Sequence, residues 1–217
     1  MRENDKCLPS RSQPSRIFLL SPAFAGGERA RMLLNDRAQF DLAMRLRGEG
    51  APLGEVFAFM SGLYFRGKLA YALAFGAPPP GLGGSYVITG GLGLVPPEKP
   101  VTLQDLCEIA SVPIDEDDPR YREPLERDTR ALAQLADATC EIVLLGSVAT
   151  AKYLDPLIDI LGARLLFPSE FVGRGDMSRG GLMLRCARAG LELNYIPALT
   201  ATRHGPRPPK LPKLSRT

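Results

Sequence analysis

The sequence predicts an α/β fold: a single domain with a mostly parallel five- or six-stranded sheet and helices on both faces. Three observations carry that prediction. Short apolar runs of strand length recur along the chain, among them "RIFLL" (16–20), "YVITG" (86–90), "CEIVLLG" (140–146) and "ARLLFP" (163–168). Amphipathic segments with helical spacing fall between them, the alternation that gives parallel strands and crossover helices. At 217 residues, 45% of them hydrophobic, the chain is long enough to bury one large core.

In chain order, residues 1–15 read as a disordered head, 16–202 as the α/β domain and 203–217 as a basic, proline-rich tail. "RIFLL" ends at Ser21-Pro22, which suits a buried strand followed by a turn. "GGERARMLL" opens a helix, and "DRAQFDLAMRLRGEG" gives a clearer one that Gly48 stops. The apolar stretch 55–76 divides into a strand or buried turn to about Met60 and a helix over Leu63–Phe75. After a Pro/Gly loop comes the strand "YVITG", with "GLGLVPPEKP" as an irregular connection. Thr102 caps a short helix, "IDEDDPRY" is an acidic loop, and "REPLERDTRALAQLA" is an amphipathic helix. "TAKYLDPLIDILG" is a helix that Pro156 bends or splits. "GRGDMSRGG" (173–181) reads as a loop, followed by the helix "GGLMLRCARAG" and the strand "LELNYIPA".

Composition excludes several classes. No apolar run reaches the roughly 20 residues of a membrane span, and the polar N-terminus lacks a secretory signal, so a cytoplasmic protein without membrane contact is expected. The four cysteines are scattered and the chain has one histidine, His204, which argues against a zinc site. Neither a metal nor a cofactor motif is read. The formal net charge of +3 hides a division: the tail 203–217 holds five Lys/Arg and no acid, whereas 17–202 holds 18 Lys/Arg against 22 Asp/Glu. Such a body meets phosphates only through a local cluster.

Ligands of open α/β sheets bind beyond the carboxyl ends of strands. Ser21 with Gly26–Gly27, Gly90–Gly91, Gly146 with Ser147 and Thr150, and the 173–181 loop all follow predicted strands. If the strands are parallel, these loops share an edge. Gly26–Gly27 would let an anion approach a helix start, and Ser147 would cap the helix after "IVLL". Tyr64, Arg66 and Lys68 set an aromatic ring and two cations in an apolar stretch, where a cation needs a partner or a polar ligand. Arg174 and Arg179 form a guanidinium clamp for carboxylate or phosphate, or else a salt bridge with Asp176. With His204 in the tail, acid/base work falls to carboxylates, Asp176 first and Glu170 second.

Four segments, "RIFLLSPA", "SGLYFRGKLAYA", "YVITGGLGLVPP" and "IVLLGSVATAKYLDPL", occur in an order that resembles the YaaA-type peroxide-stress proteins and related bacterial α/β families. "IVLLGSVAT" is also similar to the late strand-turn-helix of uracil-DNA-glycosylase-like folds. Their water-activating and histidine-containing motifs are missing from this sequence, which argues against base excision by their route. The resemblance implies an α/β sandwich with a nucleotide or nucleic-acid connection.

The expected function is recognition of a nucleotide, nucleobase or DNA end, with glycosylase- or nucleoside-transferase-like action on a glycosidic bond as the catalytic form. Asp176 would face a developing oxocarbenium ion, Arg66, Arg174 and Arg179 would hold phosphate, and Tyr64 would stack on the base. The alternative expectation is a non-catalytic nucleic-acid-binding stress or defence protein. The partner in either case is a phosphate-bearing small molecule or nucleic acid, and the sequence assigns no oligomeric state.

Overall fold

Strand β1 (Arg16–Leu20), buried along its whole length, lies inside a six-stranded sheet. This computed structural model describes residues 14–202 and 205–211. The expectation for residues 1–13, His204 and the chain end beyond 211 therefore lies outside the described residues.

Helices α1 (Glu28–Leu34) and α2 (Asp41–Arg47) follow β1; then come β2 (Ala51–Pro52), α3 (Leu53–Ser61) and α4 (Leu63–Phe75). Next are β3 (Ser85–Thr89), β4 (Gly93–Val95), β5 (Pro100–Val101), α5 (Leu103–Ser111), α6 (Pro119–Leu135) and β6 (Glu141–Leu145). The chain closes through α7 (Ala151–Leu161), β7 (Leu165–Pro168), α8 (Asp176–Ala189) and β8 (Tyr195–Pro197). The main sheet has the order β4-β3-β1-β6-β7-β8, and β2 pairs with β5 in a small second sheet. Strands β3, β1, β6 and β7 are mutually parallel, while β4 and β8 are antiparallel edges. Helices cover both faces of this single Rossmann-like α/β domain.

The strand order creates one special place. From β1 the chain leads to β3 on one side, whereas from β6 it leads to β7 on the other. Beyond the carboxyl ends of β1 and β6 the connections diverge; this switch point, called the crevice below, is where such sheets bind ligands.

Four local expectations are corrected. Residues 55–60 belong to a helix, not to a strand or buried turn. Leu53, Val56, Phe57 and Met60 are its buried positions, and that spacing of three and four is helical once Leu53 is included. The supposedly irregular 91–100 segment supplies edge strand β4, paired from Val87↔Val95 to Thr89↔Gly93. Helix α7 runs unbroken through the buried Pro156, and its N-cap is Thr150, whose side chain accepts from Lys152 N–H, instead of Ser147. Most of "GRGDMSRGG" is the first turn and a half of α8, not a loop. Thr102, by contrast, caps α5 as expected, in a reciprocal capping box with Asp105. No helix is long and apolar enough to cross a membrane among the described residues.

Candidate functional site

Helix α4 runs antiparallel to β1. Lys68 meets Ser21 at one end, Tyr71 packs edge-on against Phe18 in the middle, and Ala77, just past the helix, pairs with Arg16 at the other end. This placement aims Lys68 into the crevice between β1 and β6. Its side chain is fully buried, and its Nζ donates to the Ser21 carbonyl at 2.6 Å and to Ser21 Oγ at 2.9 Å. The ammonium also lies 4.3 Å from the centre of the Tyr64 ring, one helical turn earlier, and 4.9 Å from that of Phe65. Burial pulls the Lys68 pKa from 10.5 down to about 7; Asp176 opposes that fall and Arg179 adds to it.

Helix α8 closes the crevice from the far side, and two glycines allow it. A Cβ on Gly67 would stand 2.6 Å from the Gly180 carbonyl oxygen, and one on Gly180 would stand 2.7 Å from that of Leu63. Backbone meets backbone there, so Arg179 and Asp176 come within electrostatic reach of Tyr64 and Lys68. Arg179 is buried; its Nε donates to the Phe171 carbonyl at 3.2 Å, and its guanidinium is 3.5 Å from the exposed Asp176 carboxylate. The Tyr64 hydroxyl is buried without a hydrogen-bond partner among the described residues. Burial drives its pKa up, and the Arg179 charge works against the rise.

The β6 side completes the enclosure. Gly146 is flush against Ser21 and Tyr153, leaving about 3 Å to either for an added Cβ. The Tyr153 hydroxyl accepts from Ser147 N–H at 3.0 Å; burial raises its pKa, and the bond from Ser147 moderates the rise. Of the residues singled out in the sequence, Ser21, Tyr64, Lys68, Gly146, Ser147, Asp176 and Arg179 therefore come together.

The rest sit elsewhere. Arg66 is exposed on the opposite side of α4 and shares a cavity with Arg29, Asp41 and Glu55. Gly26 borders a separate, mostly apolar cavity of about 370 Å³ beside Phe24 and Ile109, and Gly27 is the N-cap of the short α1. Thr150 is occupied as the cap of α7. Arg174 donates from Nε to the Glu170 carbonyl at 2.9 Å and from one terminal nitrogen to Ser178 and the Pro209 carbonyl; only its backbone N–H meets the Phe171 carbonyl that accepts from Arg179, so the two guanidinium groups share no partner. The Glu170 carboxylate accepts from the backbone and side chain of Asn194 at 3.0 Å, bracing the end of β7 against the segment leading to β8.

The sequence places Tyr153, like Lys152, near the start of the helix after "IVLL" without giving it a role, and it shows nothing of the Gly67–Gly180 contact. The tyrosine follows a strand-turn-helix but matches no familiar spacing. The glycine pair lies 113 positions apart in the chain, so no local pattern links its members. No protein-family model matches this chain, and searches among curated proteins and solved structures found no match. The resemblance described above stands on its sequence motifs alone.

Proposed function

We propose that this protein recognises a phosphate-bearing nucleotide or a nucleic-acid end in the crevice between β1 and β6, with cleavage of a glycosidic bond as its catalytic form. One observation carries the reading: Lys68 is wholly buried, and its hydrogen-bond partners are both neutral oxygens of Ser21. A buried cation without a counter-ion is costly. An anion entering beside Lys68 and Arg179 would supply that counter-charge and hold the lysine protonated. The unpartnered Tyr64 hydroxyl adds a donor at the same place. Asp176, exposed at the mouth and 3.5 Å from Arg179, is the carboxylate positioned to face positive charge developing on a sugar. The Tyr64 ring face is covered by Lys68, so its part is hydrogen bonding in place of the base stacking expected from sequence.

The test is calorimetric binding of the four ribonucleoside 5′-monophosphates to the full chain, with chromatography for released base. Lys68→Met should weaken binding at least 100-fold while preserving the fold, and Asp176→Asn should abolish base release while preserving binding. Equal binding by wild type and Lys68→Met would overturn the site. Binding without base release from nucleotides or DNA would leave a non-catalytic recognition protein.

A further inference from the structure

Segment 205–211 folds back over the outer side of α8. Gly173, at a positive φ of 71°, lies so close to this segment that a Cβ would stand 2.1 Å from the Pro206 carbonyl oxygen. Only glycine tolerates both the conformation and the approach. A Cβ on Gly205 would similarly collide with Val172, and Leu211 reaches Gly181. Arg174 donates to the Pro209 carbonyl at 3.4 Å. Pro206, Pro208 and Pro209 stiffen the strap so formed.

Between strap and helix lies an open cavity of about 380 Å³. Arg174 and Arg185 come from the α8 side and Arg207 and Lys210 from the strap, and no carboxylate lines it among the described residues. The body of the chain carries more acid than base, so the convergence of Arg174, Arg207 and Lys210 on one cavity is a local departure. Ser178 adds a hydroxyl, while Leu63 and Met177 contribute apolar wall, Met177 being 67% exposed. Inorganic phosphate or polyphosphate has no use for those apolar surfaces. A single-stranded nucleic acid has: its phosphates meet cations while its bases cover apolar side chains.

We infer that the strap and α8 form a binding groove for the backbone of single-stranded nucleic acid, separate from the crevice around Lys68. It rests on different residues from the proposed nucleotide site and stands or falls apart from it. Phosphates that meet these cations release their condensed counter-ions, so binding should be strongly salt-dependent.

The experiment is fluorescence anisotropy of a labelled mixed-sequence 12-nucleotide DNA strand with the full chain at several salt concentrations. Arg207→Ala/Lys210→Ala, both exposed in the strap, should weaken binding at least tenfold. It should also reduce the slope of log K against log salt by about 1.4, at ~0.7 per phosphate contact. Lys68→Met should leave that slope unchanged, which separates this groove from the crevice. An unchanged affinity and slope in the double variant would overturn the inference. So would competition by inorganic triphosphate or poly-glutamate at the strand's own affinity, because either would make the cavity a general anion trap.

Discussion

A buried cation lies near each end of strand β1, Arg16 from the strand itself and Lys68 from α4, and the two are treated oppositely. At the amino end, Arg16 donates to Glu141 at 2.6 and 2.7 Å, pairs also with Glu192, and lies 4.8 Å from the centre of the Tyr195 ring. Burial alone would lower its pKa, but those two carboxylates prevail and raise it. At the carboxyl end, Lys68 is buried more completely and is met by the neutral oxygens of Ser21. The arginine end reads as architecture, complete in itself: it ties β1, β6 and the segment before β8 together. The lysine end is electrostatically open, and it sits where the strand order leaves a crevice. Within one fold, the lack of a bonded counter-charge among the described residues separates the proposed ligand site from a brace.

The contrast can be broken at several points. The largest effect should follow Gly67→Ala, which forces α4 and α8 apart at a backbone contact. A loss of about 3 kcal/mol in urea unfolding is expected, together with loss of nucleotide binding. Lys68→Met should remove about 2.8 kcal/mol of nucleotide binding, the equivalent of 100-fold, yet leave the protein no less resistant to unfolding at neutral pH because the charge it deletes was a burden on the fold. Arg16→Met should do the reverse. It would leave Glu141 and Glu192 without their cation and cost about 2 kcal/mol of stability, reduced from the fully buried case by the partial exposure of both acids, with binding by the folded protein intact.

An effect of a different kind appears in pH dependence. The unfolded chain keeps the Lys68 proton up to about 10.5, whereas the folded chain releases it near 7. Between those values the unfolded state binds more protons, so the lysine's contribution to stability rises with pH across that window and is least favourable below it. Urea midpoints measured from pH 6 to 10 should therefore rise in wild type relative to Lys68→Met. The smallest stability change, within about 0.5 kcal/mol, belongs to Asp176→Asn, an exposed carboxylate whose loss should appear in turnover alone.

The sheet was legible because its four parallel strands are short apolar runs flanked by turn residues. Their shared edge located Ser21, Gly146 and Ser147. Lys68 and Tyr64 were recognisable as a polar pair in an apolar stretch, but Arg66 was drawn in with them although it projects from the other side of the helix. Position 64 lies one turn before 68, whereas 66 is about 200° away at ~100° per residue. Helix α3 is hidden in the stretch from Glu55 onward because that stretch lacks Leu53, which establishes the period. The arginine-rich nonapeptide looked like a flexible loop because its glycines suggest one. Gly180 instead serves helix packing, and its partner Gly67 lies in another helix that only the tertiary fold brings near. The Gly173–Pro206 contact escaped notice for the same reason.

The central claim is that the Lys68 crevice awaits an anion. Its most direct test is an NMR pH titration of Lys68 in the full chain, with labelled lysine side chains assigned through Lys68→Met. It should be run with and without the ribonucleoside 5′-monophosphates. The expected midpoint is near 7 in the free protein, with an upward shift of at least one pH unit when a bound monophosphate supplies the counter-charge. A midpoint at the ordinary lysine value in the free protein, or one that no monophosphate moves, would contradict that claim.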